Sequence, residues 1–396
     1  MSIDELLTRG VEEIIVRESL EKKLKSGKKL RIKFGIDPTS ADLHLGHTIA
    51  LRKLKQFQDL DHKIILIIGD YTATIGDPSA RKEARKMLSK DEVQSNMKSY
   101  LDQVGKILDL DKTEIHYNSE WYDKKDSMFL FDLSSKVTIQ RVLKRDDFQK
   151  RLTHDQDINM LETIYPLLQG YDSVEVRADL ELGGTDQKFN LLMGRKIQKA
   201  FGQEPQDIMT VWLLEGTDGV HKMSKSFGNY ISMSEEPNQM YGKVMSIPDE
   251  LIVKYFRLLT DVPNGEVDEM LKRFRKQVSE SFNPREEKAR LAFEIVRLNH
   301  SKDDAKKAAG EFDRVFKNKE KPEEMPVKNI NVSECRIDDL LMKCELATSK
   351  AEAKRLVGQG GVEVAGEKIT DPFKTIEIKD EMIIQVGKRR FVKIKK

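Results

Sequence analysis

Residues 30–69 read LRIKFGIDPTSADLHLGHTIALRKLKQFQDLDHKIILIIG. The stretch opens and closes on short runs dense in branched aliphatic residues, Leu30–Ile36 and Lys63–Gly69. The second run is almost wholly aliphatic, as a strand buried on both faces must be. Between them a turn-rich loop, Asp37-Pro38-Thr39-Ser40, gives way to a helix from Leu45 to Leu60. Strand, helix and strand in so short a span form a βαβ unit, and the sheet that such a unit builds is parallel.

Outward from this unit the alternation continues. Strands are predicted at Val174–Ala178 and Ile208–Leu214, a helix from Thr185 to Phe201 between them, and helices at 91–108 and 157–170. Residues 4–26 carry Leu6, Leu7, Val11, Ile14, Ile15 and Leu20 at helical spacing and read as one amphipathic helix. The pattern is that of an α/β parallel sheet, interrupted at about 118–165 by a segment that reads as helical. Beyond residue 230 the strand signals stop. Residues 234–316 read as helices with a break at Asp261-Val262-Pro263-Asn264-Gly265. Lys317–Lys328, rich in Lys and Glu and holding Pro322 and Pro326, suits an exposed linker. From Ser333 onward a helical start, a Gly358-Gln359-Gly360-Gly361 turn and short alternating strands make a small α+β unit. The expected division is 1–228, α/β; 229–320, α-helical; 321–332, linker; 333–396, the α+β unit.

The 69 basic and 67 acidic residues nearly cancel, which excludes a histone-like polycation and an acidic disordered chain. Positive charge toward a polyanion has to be local. No run approaches the length of a membrane span, and the N-terminus has no apolar signal core. With Cys335 and Cys344 as the only cysteines, neither a disulfide framework nor a thiolate metal cluster is available. The composition fits a soluble, cytoplasmic protein with no membrane partner.

Neither a P-loop nor a G-x-G-x-x-G occurs. Instead His44-Leu45-Gly46-His47 stands between a strand and a helix. A helix N-terminus offers unpaired N–H groups and the positive end of the dipole to an anion. Two imidazoles three residues apart suit a phosphate there, and Gly46 admits a flat base against the backbone. Read alone, the pair is equally a metal pair or two surface histidines. The second element is His221-Lys222-Met223-Ser224-Lys225-Ser226, in a loop that begins Gly216-Thr217-Asp218-Gly219. Two lysines flanked by Gly and Ser suit a loop that closes on a polyphosphate, although such runs are also common as solvated basic loops.

Together the two motifs resemble the HIGH and KMSKS signatures of the class I aminoacyl-tRNA synthetases, as HLGH at 44–47 and a complete KMSKS at 222–226. Three further blocks resemble the tyrosyl-tRNA synthetase family, its second bacterial subgroup in particular: Gly69-Asp70-Tyr71-Thr72-Ala73-Thr74-Ile75-Gly76-Asp77 and the residues through Arg85, Tyr165-Pro166-Leu167-Leu168-Gln169-Gly170-Tyr171-Asp172, and Gly183-Gly184-Thr185-Asp186-Gln187. The resemblance implies a Rossmann-like catalytic domain, a helical anticodon-recognition domain and an S4-type RNA-binding domain. It implies that Tyr165, Gln169 and Asp77 hold the ammonium group of L-tyrosine, with Gln187 and Thr72 close by, and that Asp172 takes the phenolic hydroxyl. Tyr165, Gln169 and Asp172 sit at i, i+4 and i+7, one face of a helix.

The same resemblance assigns Thr39, His44 and His47 to the phosphates of ATP, and Lys222, Lys225, Arg81 and Arg85 to the leaving pyrophosphate. Asp186 takes the ribose, Gly184 offers its backbone, and Asp37, Gly46 and Met223 complete the nucleotide site. Mg²⁺ arrives with ATP, and no metal site of the protein is expected. One departure concerns Lys33, where many relatives have a tyrosine that shares the substrate hydroxyl. Lys33 is left to donate to the phenolic oxygen, to pair with Asp172, or to point elsewhere. A second is Ala80-Arg81 in place of Gly-Lys. For tRNA(Tyr), the resemblance and the charge of the last unit point to Lys350, Lys354, Arg355, Lys388, Arg389 and Arg390. A homodimer is expected, with the 118–165 insertion as interface, although an apolar helical stretch is equally a core element. Two alternatives stay open: a tryptophanyl-type synthetase and a catalytically silent RNA-binding relative.

Overall fold

The computed structural model describes residues 2–38, 42–78, 89–97, 100–275, 282–316, 325–387 and 390–396. The chain divides into two compact units, Met1–Ala305 and Lys306–Lys396. The N-terminal unit begins with helix α1 (Ile3–Thr8), strand β1 (Val11–Ile15), helix α2 (Arg17–Lys25) and strand β2 (Arg31–Ile36). The single helix predicted over 4–26 is therefore replaced by helix, strand and helix. Gly10, at φ +70°, ends α1, and the β-branched Val11, Ile14 and Ile15 pair antiparallel with strand β6 (Asp207–Val211) at the sheet edge.

The decisive βαβ unit is as read: helix α3 (Leu45–Asp59) joins β2 to β3 (Lys63–Ile68), and the two strands pair in parallel from Arg31↔Lys63 to Ile36↔Ile68. Short helices α4 (Thr72–Ile75), α5 (Lys90–Met97) and α6 (Tyr100–Gly105) lead to strand β4 (Thr113–Tyr117). That strand lies at the other sheet edge, and its polar content, Thr113-Glu114-Ile115-His116-Tyr117, hid it from hydropathy.

The insertion is helical, as expected: α7 (Ser119–Tyr122), α8 (Ser127–Ser135), α9 (Ile139–Val142) and α10 (Asp146–Thr153) precede the long α11 (Met160–Glu175). The strand predicted at Val174–Ala178 is displaced, because α11 runs on to Glu175 and β5 spans Leu180–Gly184. Helix α12 (Lys188–Ala200) connects β5 to β6, packs along α11 and shares an aromatic core with the insertion, including Trp121, Tyr122, Phe148 and Tyr171.

The sheet order is β1-β6-β5-β2-β3-β4, parallel except for β1. From β2 the chain winds outward through β3 and β4, then returns to the other side of β2 with β5 and β6. The reversal lies between β2 and β5. In open α/β sheets the crevice at the carboxyl ends of the strands at such a reversal is where ligands bind.

Helices α13 (Pro237–Met245), α14 (Ile252–Leu259), α15 (Asn264–Arg275), α16 (Pro284–Asn299) and α17 (Lys302–Phe316) follow, with the break before Asn264 as expected. In the C-terminal unit, strands β7 (Val327–Asn329) and β8 (Glu334–Arg336), helices α18 (Ile337–Lys343) and α19 (Lys350–Gly358), and strands β9 (Val362–Val364), β10 (Glu367–Ile369), β11 (Thr375–Glu377), β12 (Ile383–Val386) and β13 (Arg390–Lys395) enclose a core of its own. β7 falls inside the stretch read as linker. It pairs in parallel with β13, which places a strand where the Pro and charge content suggested none.

Candidate active site

The reversal between β2 and β5 opens into a cleft of about 340 Å³. Asp37 extends from β2, and Gly184, Asp186 and Gln187 extend from β5. His44 and His47 stand at the start of α3, and Tyr165, Gln169 and Asp172 on α11 close one side. Lys222 and Met223 line the same cleft. They are brought there by backbone pairing. Leu45 N donates to Ile231 O (3.0 Å) and Met233 N to Leu43 O (2.9 Å), so the segment after the lysine loop is stitched to the segment before α3. The loop itself folds back as a hairpin, Met223 N to Leu214 O at 2.7 Å. Buried Asn229 holds its base, accepting from Ser224 N (2.9 Å) and donating to His221 O and Lys222 O.

One end of the cleft is acidic. Tyr165 donates to Asp37 Oδ2 (2.7 Å) and Thr72 to Asp37 Oδ1 (2.9 Å). Gln187 Nε2 donates to Asp77 Oδ2 (2.6 Å). Asp172 accepts from Trp121 Nε1 (3.0 Å), Tyr122 Oη (2.9 Å) and Asn118 Nδ2 (3.4 Å). Burial pushes the Asp37 carboxyl up to about 7 against the opposing bond from Tyr165, and the charges of Asp77 and Asp172 add to the rise. Burial likewise raises Asp172 to about 6, with the charge of Lys33 and the bonds from Tyr122, Trp121 and Asn118 holding it from going higher. Three carboxylates crowded in a desolvated space favour a cationic ligand. Asp37, expected beside the nucleotide, is thus tied into the Tyr165–Thr72 group. Gly69 is required by this packing, since a Cβ there would meet Asp37 Oδ1 at 2.0 Å and Thr72 Oγ1 at 2.4 Å.

The other end carries the imidazoles and the lysine loop. The rings of His44 and His47 lie 3.9 Å apart between centroids. Burial, the neighbouring imidazole and Lys222 and Lys225 drive His44 down to about 2; burial and the same lysines bring His47 to about 4. Both rings are therefore uncharged at neutral pH, so they can meet a phosphate as hydrogen-bond donors but not as cations. His47 Nδ1 accepts from His44 N (3.1 Å), which leaves the proton on Nε2 as a donor. A Cβ on Gly46 would meet the His44 ring at 3.0 Å. Lys222 pairs with Asp186, and Lys225 lies 3.7 Å from Asp42 and over the ring of Tyr230.

Lys33 takes the third course left open by the sequence. Its ammonium pairs with Glu181 Oε1 (2.8 Å) and donates to Gln169 O (2.7 Å) and Ser173 Oγ (2.8 Å), not to Asp172. Glu181, Asn118, Trp121 and Tyr122 were not singled out from the sequence. The first was one charge in an apolar strand, and the others lay in a segment read only as helical. Asn190, bonded to Gln187 Oε1 (2.9 Å), was missed for the same want of a motif. Thr39, Arg81 and Arg85 lie outside the described residues, as do Lys388 and Arg389. In the C-terminal unit Lys350 pairs with Asp339, Lys354 lies 3.9 Å from Asp338, and Arg390 donates to Leu346 O (2.9 Å). Arg355 stands on the same helix, α19.

The raised Asp37 titration has a stability consequence. An unfolded aspartate titrates near 3.8, so above about pH 7 the folded, ligand-free protein carries a charge that its surroundings disfavour. That cost is fully present above pH 7 and fades as the pH falls through 7 toward 4. Asp37→Asn is expected to raise the Tm of the ligand-free protein by a few degrees at pH 8 and by less at pH 5, read by scanning calorimetry.

Residues 25–317 match the family described as tRNA synthetases class I (W and Y), and residues 317–394 match the tyrosine–tRNA ligase SYY-like C-terminal domain. The tyrosine–tRNA ligase of Thermotoga maritima is 52% identical over 389 residues, covering 98% of this chain and 96% of that one. That of Aquifex aeolicus is 47% identical over 389 residues, covering 98% and 97%. Among solved structures, a C-terminally truncated mitochondrial tyrosyl-tRNA synthetase of Aspergillus nidulans superposes with a TM-score of 0.65 at 21% identity, over 79% of this chain and 93% of that one. The tyrosyl-tRNA synthetase of Archaeoglobus fulgidus complexed with L-tyrosine gives 0.62 at 22%, over 77% and 98%. The structures share the fold; the full-length sequence identities go further, and by them the chain belongs to the tyrosine–tRNA ligase family of class I synthetases.

Proposed function

We propose that this cleft joins L-tyrosine to ATP as tyrosyl-adenylate, with release of pyrophosphate, and then passes the tyrosyl group to the 3′ end of tRNA(Tyr). The observation that carries the reading is the polarity of one cleft, with Asp37, Asp77 and Asp172 toward one end and the neutral imidazoles and Lys222 toward the other. A zwitterionic amino acid has one orientation in such a field. Its ammonium lies among Asp77, Tyr165 and Gln169, with Thr72, Asp37 and Gln187 bracing them. Its carboxylate faces the phosphates.

The nucleophile is then the substrate's own carboxylate, attacking the α-phosphorus in line. The protein contributes position and charge stabilisation. His47 Nε2–H and His44 donate to phosphate oxygens with Thr39. Lys222 leaves Asp186 for the phosphates and frees that carboxylate for the ribose. Lys225, Arg81 and Arg85 meet the pyrophosphate. Gly46, Gly184 and Met223 border the nucleoside. Mg²⁺ enters as part of the MgATP substrate.

Asp172, held by three donors, reads the phenolic hydroxyl. A phenyl ring in its place leaves a desolvated carboxylate oxygen unanswered, at a cost of about 3 kcal/mol, or more than 10²-fold. Tyrosine-dependent ATP–pyrophosphate exchange across the amino acids tests the reading; a tryptophan response favours the tryptophanyl-type alternative, and no response favours the silent relative. Lys225→Ala is expected to slow adenylate formation by about 10²-fold in stopped flow, with tyrosine affinity little changed. An unaltered rate removes Lys225 from the mechanism.

The titrations separate the two ends by pH. Below about pH 7 Asp37 gains a proton and the acid end loses attraction for an ammonium group. The histidines, at about 4 and 2, stay neutral throughout. Tyrosine affinity is expected to weaken as the pH falls from 8 to 6, while kcat at saturating tyrosine stays level. A kcat that collapses over the same interval contradicts this assignment.

For tRNA(Tyr), we assign anticodon contacts to α13–α17 and phosphate contacts to the C-terminal unit. There Phe373 is exposed and flanked by Arg336 and Lys354, a mixed aromatic and cationic surface suited to RNA. We further propose a cytoplasmic homodimer. Met128, Phe131, Ile139, Leu152 and Met160 are 47–71% exposed and all fall in or beside the insertion, an apolar concentration that marks an interaction surface. Phe131→Asp is expected to shift the particle mass from dimer to monomer in analytical ultracentrifugation. No helix among the described residues is long and apolar enough to cross a membrane.

A further inference from the structure

Beneath the acid end of the cleft lies a charged pair for which the chemistry above has no use. Lys33 on β2 and Glu181 on β5 are register partners across adjacent parallel strands, so their side chains leave the sheet side by side. Both are almost wholly buried, at 0% and 1% exposed. The three Lys33 N–H groups go to Glu181, to the Gln169 carbonyl and to Ser173 Oγ. Glu181 Oε1 also accepts from Gln169 Nε2 (3.2 Å), and its Oε2 accepts from Ser173 Oγ (3.2 Å) and Gln206 Nε2.

A glutamine amide facing a ligand can offer N–H donors as readily as a carbonyl oxygen. An ammonium group needs an acceptor. An ionised carboxylate only accepts, so Glu181 dictates which way the Gln169 amide turns: NH₂ toward Glu181, oxygen toward the cleft that Gln169 lines. Lys33 fixes the same residue from its backbone end and neutralises Glu181 where water does not reach. We propose that the Lys33–Glu181 pair is the positioning device that presents the Gln169 oxygen to the substrate's ammonium group. This rests on the reading of the cleft as a tyrosine site. It gives Lys33 a task in amino-group recognition instead of hydroxyl recognition.

Two variants of the full-length protein test this: Glu181→Gln, and Lys33→Met with Glu181→Gln. The double variant leaves no buried charge without a partner and so guards against simple misfolding. In both, an amide at position 181 no longer dictates the orientation of Gln169. Three ligands are compared by calorimetric titration: tyrosine, tyrosinol, which keeps the ammonium but lacks the carboxylate, and 3-(4-hydroxyphenyl)propionate, which lacks the ammonium. Kd for tyrosine and tyrosinol is expected to rise about tenfold in both variants, the scale of one charge-assisted hydrogen bond. Kd for the deaminated acid and KM for ATP are expected to stay unchanged. Equal weakening of all three ligands would show that the pair only maintains the pocket, and unaltered tyrosine binding in the double variant would show that it does not orient Gln169; either overturns the proposal. A wild-type protein that binds no tyrosine overturns the reading of the site first, and the proposal with it.

Discussion

The union of the two phosphate-facing motifs depends on a few backbone hydrogen bonds between segments far apart in sequence. Leu43–Leu45 and Ile231–Met233 are joined by the bonds from Leu45 N and Met233 N, with His44 opposite Ser232. This pairing anchors the base of the lysine loop at the N-terminus of α3. Neither motif can act on a triphosphate alone. Uncharged imidazoles supply donors without a net charge, and a lysine hairpin without a floor has no fixed target. Joined, they form one wall of a cleft whose position the sheet has already set at the β2/β5 reversal.

The cleft stores unfavourable electrostatics. Asp172 is buried and Asp37 partly buried, with few compensating cations, and both carboxyls are raised toward neutrality. At the opposite end, burial and the nearby lysines hold both histidines in the neutral form, each with one N–H. An amino acid with its ammonium at one end and a nucleotide with its polyphosphate at the other together relieve much of this, so binding energy is concentrated on the atoms that must be aligned. The ligand-free fold bears the corresponding cost in stability, as functional sites commonly do.

Much of this was legible in the sequence, for identifiable reasons. The βαβ unit announced itself because its strands are buried on both faces and its helix is flanked by a turn. HLGH and KMSKS were legible as a pair, where each alone was ambiguous. The i, i+4, i+7 spacing of Tyr165, Gln169 and Asp172 correctly put them on one helix face. What failed were features set by tertiary pairing. Val11–Ile15 has apolar spacing compatible with a helix and becomes a strand because β6 offers an edge. Thr113–Tyr117 is an edge strand too polar to notice. Lys33 could not be paired from sequence because Glu181, its partner, is a register neighbour on a strand nearly 150 residues later.

The most direct test of the central claim is a crystal structure of the protein with tyrosinol and a non-hydrolysable ATP analogue. The expected result is one triphosphate touched on one side by His44 and His47 and on the other by Lys222, with the tyrosinol ammonium beside Asp77 and Gln169. A nucleotide bound away from the β2/β5 crevice, or phosphates that meet only one of the two motifs, would contradict the account.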